Sequence, residues 1–237
     1  MEILLKDKNF ISRLARIVAL VIALIVSTIA CITLSSCGET GVKYEPSTGS
    51  FGYDESVISE KNSLLGYDNA DILIDELSKE DGKTKYVYLG WKSCPWCKHY
   101  LPYFNDYAMS HNLNLLYYTD FLNVKGYEEK EVDGVWTIDY KNKDQYKKLV
   151  DFFNENTTGV IKNNNITGEH TTASLPWIYV PKFIKFENGK FVKFFAPYEW
   201  HTLVETTVDG QTKRVLPEFT EEQEAQMLSD VKAFFED

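Results

Sequence analysis

Cys94-Pro95-Trp96-Cys97 is the stretch whose residue types and spacing could do chemistry. It follows an apolar run, Tyr86-Val87-Tyr88-Leu89, and precedes a segment, Lys98 to His111, that reads as helix. Two thiols at a strand-to-helix junction, two residues apart, suit thiol–disulfide exchange. One thiolate attacks a disulfide, and the second, a turn away, resolves the mixed disulfide. The same pair could instead clip a metal or close a structural bridge. Zinc usually wants four ligands, often a second Cys-x-x-Cys or paired histidines, and His99, His111, His170 and His201 are scattered. No metal and no cofactor beyond the dithiol is therefore expected. A bridge across so short a loop removes little chain entropy.

The spacing assigns roles within the pair. Cys94 falls at the helix N-terminus, where the dipole and unpaired N–H groups favour a thiolate, so it is the expected attacking thiol with a depressed pKa. Lys92, Lys98 and His99 add positive charge nearby. Cys97, one turn on and less exposed, is the expected resolving thiol. Trp96, between the cysteines, is expected to offer apolar surface to a polypeptide. Trp91 and Trp177 suit that role or core packing equally.

The elements that must position these residues belong to a chain of 237 residues, long enough for one domain with appendages. Its net charge of -10 argues against nucleic-acid binding, which needs a basic face. At the N-terminus Lys6, Lys8, Arg13 and Arg16 precede an uncharged apolar run, Ile17 to Leu34. Leu34-Ser35-Ser36-Cys37 then resembles the lipobox of bacterial lipoproteins. That resemblance implies a signal peptide over 1–36 and lipidation at Cys37. An uncleaved membrane helix is the other reading of the run. Both readings keep the basic residues inside and place the remainder outside the cytoplasm. Of four cysteines, Cys31 lies in the apolar run and Cys37 at the lipid site, leaving Cys94 and Cys97 to pair in the folded part.

Residues 37–66, rich in Gly, Ser, Thr and acidic residues, read as a flexible tether. The domain is expected over 67–237. Periodicity predicts a helix over 69–79, strands over 85–89 and 113–119, and a helix over 144–154. Pro102 lies inside the Cys94–Cys97 helix and should kink it. Residues 120–174 read as an insertion, with a hairpin about Val132-Asp133-Gly134-Val135 and a polar loop over 157–174. Trp177 to Val180 and Phe183 to Glu187 read as strands, broken by Pro181. Asn188-Gly189 marks a hairpin into 190–195. A second short hairpin is expected at Asp209-Gly210, and Thr220 caps a final helix.

This order, with Cys94-Pro95-Trp96-Cys97 after a core strand, Pro102 five residues beyond, and Leu175-Pro176 before a hairpin, resembles the thioredoxin-like superfamily. The run from Gly90 to Pro102 is also similar to the accessory proteins of bacteriocin export. The resemblance implies an α/β thioredoxin fold: a central mixed sheet flanked by helices, with the insertion before a cis-proline loop. It implies that Leu175-Pro176 carries that cis bond, and that Leu175 offers backbone groups to a substrate chain. Many thioredoxins place a buried acid six residues before the first cysteine, where this chain has Tyr88. Proton transfer must then use water or another group.

The expected function is a membrane-tethered, extracytoplasmic thiol–disulfide oxidoreductase acting on cysteine-containing secreted polypeptides, reset by a membrane or extracellular redox partner. Two alternatives stand beside it. One is a dedicated reductant for an extracytoplasmic enzyme. The other is a polypeptide-binding adaptor whose cysteines are inert.

Overall fold

The computed structural model describes residues 44–121, 125–208 and 211–237. The expected signal segment 1–36 and its lipid site Cys37 lie outside them. The described elements, in chain order, begin with β1 (Ser47–Thr48), β2 (Leu64–Tyr67), α1 (Ala70–Ser78), β3 (Thr84–Leu89), α2 (Pro95–Ser110) and β4 (Leu115–Tyr118). The middle holds β5 (Tyr127–Val132), β6 (Val135–Tyr140), α3 (Lys143–Asn156), β7 (Ile161–Thr167) and β8 (Thr172–Ile178). The chain closes with β9 (Lys182–Glu187), β10 (Lys190–Phe195), β11 (Val204–Val208), β12 (Gln211–Val215) and α4 (Glu221–Glu236).

The result is mixed α/β. Six strands form one sheet in the order β1-β2-β4-β3-β9-β10. β2, β4 and β3 run parallel, whereas β9 lies antiparallel to β3 and β10 antiparallel to β9. β3 is central, and Val87, Tyr88 and Leu89 are fully buried, as its apolar run without polar alternation requires. Strand side chains alternate between faces, so Phe183 and Phe186 of β9 point oppositely. Phe183 stacks on Phe104 of α2 at 3.6 Å, and Phe186 meets Phe152 and Phe153 of α3 at 6.0 and 6.4 Å. Helices therefore cover both faces. α2 shares one apolar cluster with Met227, Val231, Phe234 and Phe235 of α4.

The helix starts follow local chemistry. Asn69 accepts from the backbone N–H groups of Asp71 and Ile72 to open α1. Thr220 and Gln223 form a reciprocal capping box at α4, beside three glutamates that favour the positive end of its dipole. Pro95 occupies the first turn of α2, where no donor is needed.

Two expectations from the sequence are corrected. The predicted tether is part of the fold from residue 45 onward: β1 and β2 join the sheet, and Tyr53 and Ile58 are buried in the α2 cluster. Its anchors are single side chains without periodicity. Gly66 of β2 leaves the space that the Phe51 ring fills, since a Cβ there would overlap it. The predicted loop over 157–174 contains β7 and half of β8, paired from Ile161–Ile178 to Thr167–Thr172. Its Asn163-Asn164-Asn165 run is largely exposed, so backbone pairing, not an apolar face, holds it. Glu129 of β5 accepts from the backbone N–H groups of Glu169, His170 and Thr171 at 2.6–3.0 Å, fastening the β7–β8 turn to the β5–β6 hairpin. β11 and β12 pair as the sequence predicts; their turn residues are not described.

Candidate functional site

Cys94 is the N-cap of α2, with extended backbone (φ -77°, ψ 122°), and its Sγ accepts from the Cys97 backbone N–H at 3.4 Å. Cys97 lies one turn inside. Both thiols are free, at 6% and 0% exposure. A hydrogen bond from the Cys97 thiol leads the causes that hold Cys94 down at about 7. Burial opposes it, while the backbone groups of Cys97 and Trp96 and the charge of Lys125 assist. Cys97 moves the other way: burial pushes its thiol well up, and the neighbouring Cys94 adds to that. The lowered thiol at the N-cap and the deeper burial of Cys97 are the asymmetry expected from the spacing.

The cation that assists is not one that proximity in sequence suggested. Lys125 comes from the segment before β5. Its Nζ donates to the Ile178 carbonyl at 2.8 Å and lies 4.5 Å from the Trp91 ring and 5.0 Å from the Trp177 ring. Burial lowers it to about 8, against the pull of Cys94 and Cys97. Aromatic faces attract a cation that has lost water, so the two tryptophans hold a charge beside the thiols. Trp91 and Trp177 thus serve the site from within the packing. His99 faces away, with its ring 4.5 Å from Phe219 and 4.7 Å from His201, and burial lowers its pKa. Lys92 and Lys98 are exposed.

Trp96 is half-buried, and its Nε1 donates to the His201 carbonyl at 3.0 Å. The His201 ring is fixed in turn. Its Nε2 must donate to the Pro217 carbonyl at 2.8 Å, leaving Nδ1 to accept from the Tyr100 hydroxyl at 2.9 Å. The loop between β10 and α4 therefore clasps the Cys-x-x-Cys turn. Trp96 also lines a groove of about 440 Å³ with Asn163, Tyr179, Val180, Pro181 and Pro197.

The proline at this site is not the expected one. The cis bond is Val180–Pro181, and the Val180 carbonyl lies 4.0 Å from Cys94 Sγ, in position to accept from its thiol. Leu175 and Pro176 sit within β8, paired with Asn164 and Asn163. The Pro176 carbonyl accepts from the Tyr140 hydroxyl. Among the described residues β8 pairs with β7 alone, so its other edge has no ladder and tolerates a residue with no donor. The sheet hairpin begins at Lys182, so the proline directly before it is Pro181. That adjacency was the available signal.

Behind Cys97 lies a set of phenols. Tyr88 of β3 is fully buried, and its hydroxyl is 2.6 Å from that of Tyr53. Tyr88 stacks between Tyr117 at 5.4 Å and Phe183 at 5.0 Å. Among the described residues, no group of histidines, cysteines and carboxylates is placed to hold a metal. No protein-family model matches this chain, and no curated protein matches it.

Proposed function

We propose that this chain is a thiol–disulfide oxidoreductase of the thioredoxin-like kind, acting on cysteines of polypeptides outside the cytoplasm. The observation that carries the reading is the contrast within one helical turn. Cys94 Sγ sits on an N-cap beside the carbonyl of Val180, a residue that lines the groove with Trp96, and a half-buried cation lies near by. Cys97 is sealed behind it. A thiolate at Cys94 attacks a substrate disulfide and forms a mixed disulfide; Cys97 then displaces the substrate sulfur. The groove beside Trp96 would receive the flanking substrate chain. The parallel β2-β4-β3 core, the antiparallel β9–β10 pair and helices on both faces support a thioredoxin fold. Lipid attachment at Cys37 belongs to the same proposal and rests on the lipobox-like sequence.

The test is substrate capture. A Cys97→Ala variant of the full chain, isolated from cells under acid quench, should carry proteins in mixed disulfide with Cys94, released by dithiothreitol. Purified wild type should reduce insulin with dithiothreitol as the electron source. Absence of both leaves the adaptor reading.

A further inference from the structure

We propose that the Tyr53–Tyr88 hydroxyl pair is the built-in donor that stabilises the Cys97 sulfur as it becomes an anion in the resolving step. The proposal rests on the oxidoreductase reading above. Three separate stretches converge here: the segment before β2 brings Tyr53, β3 brings Tyr88, and α2 brings Cys97, all in one buried cluster. The Tyr88 hydroxyl is a partner of the Cys97 sulfur and favours its thiolate, as does the Trp91 backbone. The hydroxyl of Tyr53 lies 2.6 Å from that of Tyr88, and Tyr53 in turn interacts with the Tyr117 hydroxyl. Gly90 makes room for this arrangement. A Cβ there would overlap the Tyr88 hydroxyl.

A buried phenol beside a thiol could act as a base or as a donor. Burial raises Tyr53 and Tyr88 well above the usual phenol range, which excludes phenolate near neutral pH. Both stay protonated and act as donors. With the single Tyr88 proton committed to the sulfur, Tyr53 is the donor across the 2.6 Å contact and polarises the Tyr88 O–H. Fixed donors aimed at a developing charge lower the barrier without reorganisation.

The step balances without a further reagent. The Cys97 sulfur attacks the Cys94 sulfur of the mixed disulfide. A Cys94–Cys97 bond forms, and the bond from Cys94 to the substrate sulfur breaks. The electron pair leaves on the substrate sulfur, which takes a proton from water, and the Cys97 proton passes to water. The two cysteines are oxidised to a disulfide, and the substrate disulfide is reduced to two thiols. Tyr53 and Tyr88 lose no proton.

The test follows the two halves of one turnover. In the full chain with Cys31→Ser and Cys37→Ser, Cys94 and Cys97 are the remaining thiols. Ellman's disulfide, mixed with it under single turnover, should release one coloured thiolate on attack by Cys94 and a second on resolution by Cys97. Tyr88→Phe should leave the first phase unchanged and slow the second about 10–100-fold, the worth of one hydrogen bond to a charged group. Its pH midpoint should rise. Tyr53→Phe should give a smaller slowing of the second phase alone. Tyr53→Phe with Tyr88→Phe removes both members of the pair together and should match or exceed Tyr88→Phe, with denaturant unfolding checking that the double variant is folded. A second phase of wild-type rate and pH profile in that double variant overturns the proposal. Failure of the wild type to release a second thiolate overturns the oxidoreductase reading itself, and this proposal with it.

Discussion

Cys94 and Cys97 share one helical turn yet meet different surroundings. Cys94 faces the mouth, among backbone donors, the Val180 carbonyl and a lysine held between tryptophans. Cys97 faces the sheet, among stacked rings and buried hydroxyls. One environment favours a thiolate, and the other disfavours it through burial. Cys-x-x-Cys spacing supplies two thiols, but only the surrounding elements make them unequal.

The comparison predicts its largest effect in alkylation. Reduced protein exposed briefly to iodoacetamide at pH 7 should carry label on Cys94 and almost none on Cys97, a ratio above ~100-fold, since thiolate fraction and access both favour Cys94. Peptide mass spectrometry measures it. Equal labelling would break the contrast. The same shift sets a pH dependence. Cys94 has a folded-state pKa below its unfolded value, so its charge contributes stability above the ordinary thiol range. That contribution is lost as pH falls through about 7. Denaturant unfolding of reduced wild type against Cys94→Ser should therefore show a stability difference that shrinks across this window on acidification.

Much of the inequality was legible in the sequence, for reasons that also explain what was not. The placement of Cys94 on the N-cap and Cys97 one turn inside follows from local spacing, because a helix N-terminus is a local object. Helices α1, α2, α3 and α4 were legible from apolar periodicity and caps, and the β5–β6 and β9–β10 hairpins from Asp133-Gly134 and Asn188-Gly189. Lys125 was not, because its approach to Cys94 is a tertiary event across 31 positions. Tyr53 sat in a stretch that composition marks as a tether, and a single buried ring gives no period. Pro176 and Pro181 are five residues apart. Choosing between them required knowing that Lys182 opens the sheet hairpin, while Trp177 and Ile178 belong to a separate ribbon.

Gly90→Ala should give the next largest effect, confined to the Cys97 side. The added methyl meets the Tyr88 hydroxyl, and overpacking of this kind costs about 1–3 kcal/mol. Chemical denaturation should show that loss, and the resolving phase should slow while attack by Cys94 does not. Lys125→Met acts on the other side. Removing the cation raises the Cys94 pKa, so alkylation at pH 6 should slow several-fold. A thiolate belongs to the reduced state, so losing its stabilisation makes the pair more reducing. At a pH above both values, a rise of one pKa unit corresponds to a potential lower by about 30 mV, readable against a glutathione series. An unchanged potential would show that the Cys97 thiol and the backbone donors set the Cys94 anion without Lys125.

Trp96→Phe should have the smallest effect on the thiols and discriminates between two ways the mouth could work. The substitution keeps an aromatic face on the groove but removes the N–H that donates to the His201 carbonyl. A neutral hydrogen bond at a half-buried site contributes about 1 kcal/mol, so the β10–α4 loop should loosen by no more than a few-fold in hydrogen exchange. Tyr100 and Pro217 still hold the His201 ring. Cys94 has no contact with the indole N–H, so its alkylation profile should stay at wild type. If binding of a peptide disulfide weakens while a small aromatic disulfide reacts as before, Trp96 matters by keeping the groove wall in place. If both slow equally, its indole acts on the sulfur instead, and the mouth and the sheet side of the cysteine pair are less separate than their geometry indicates.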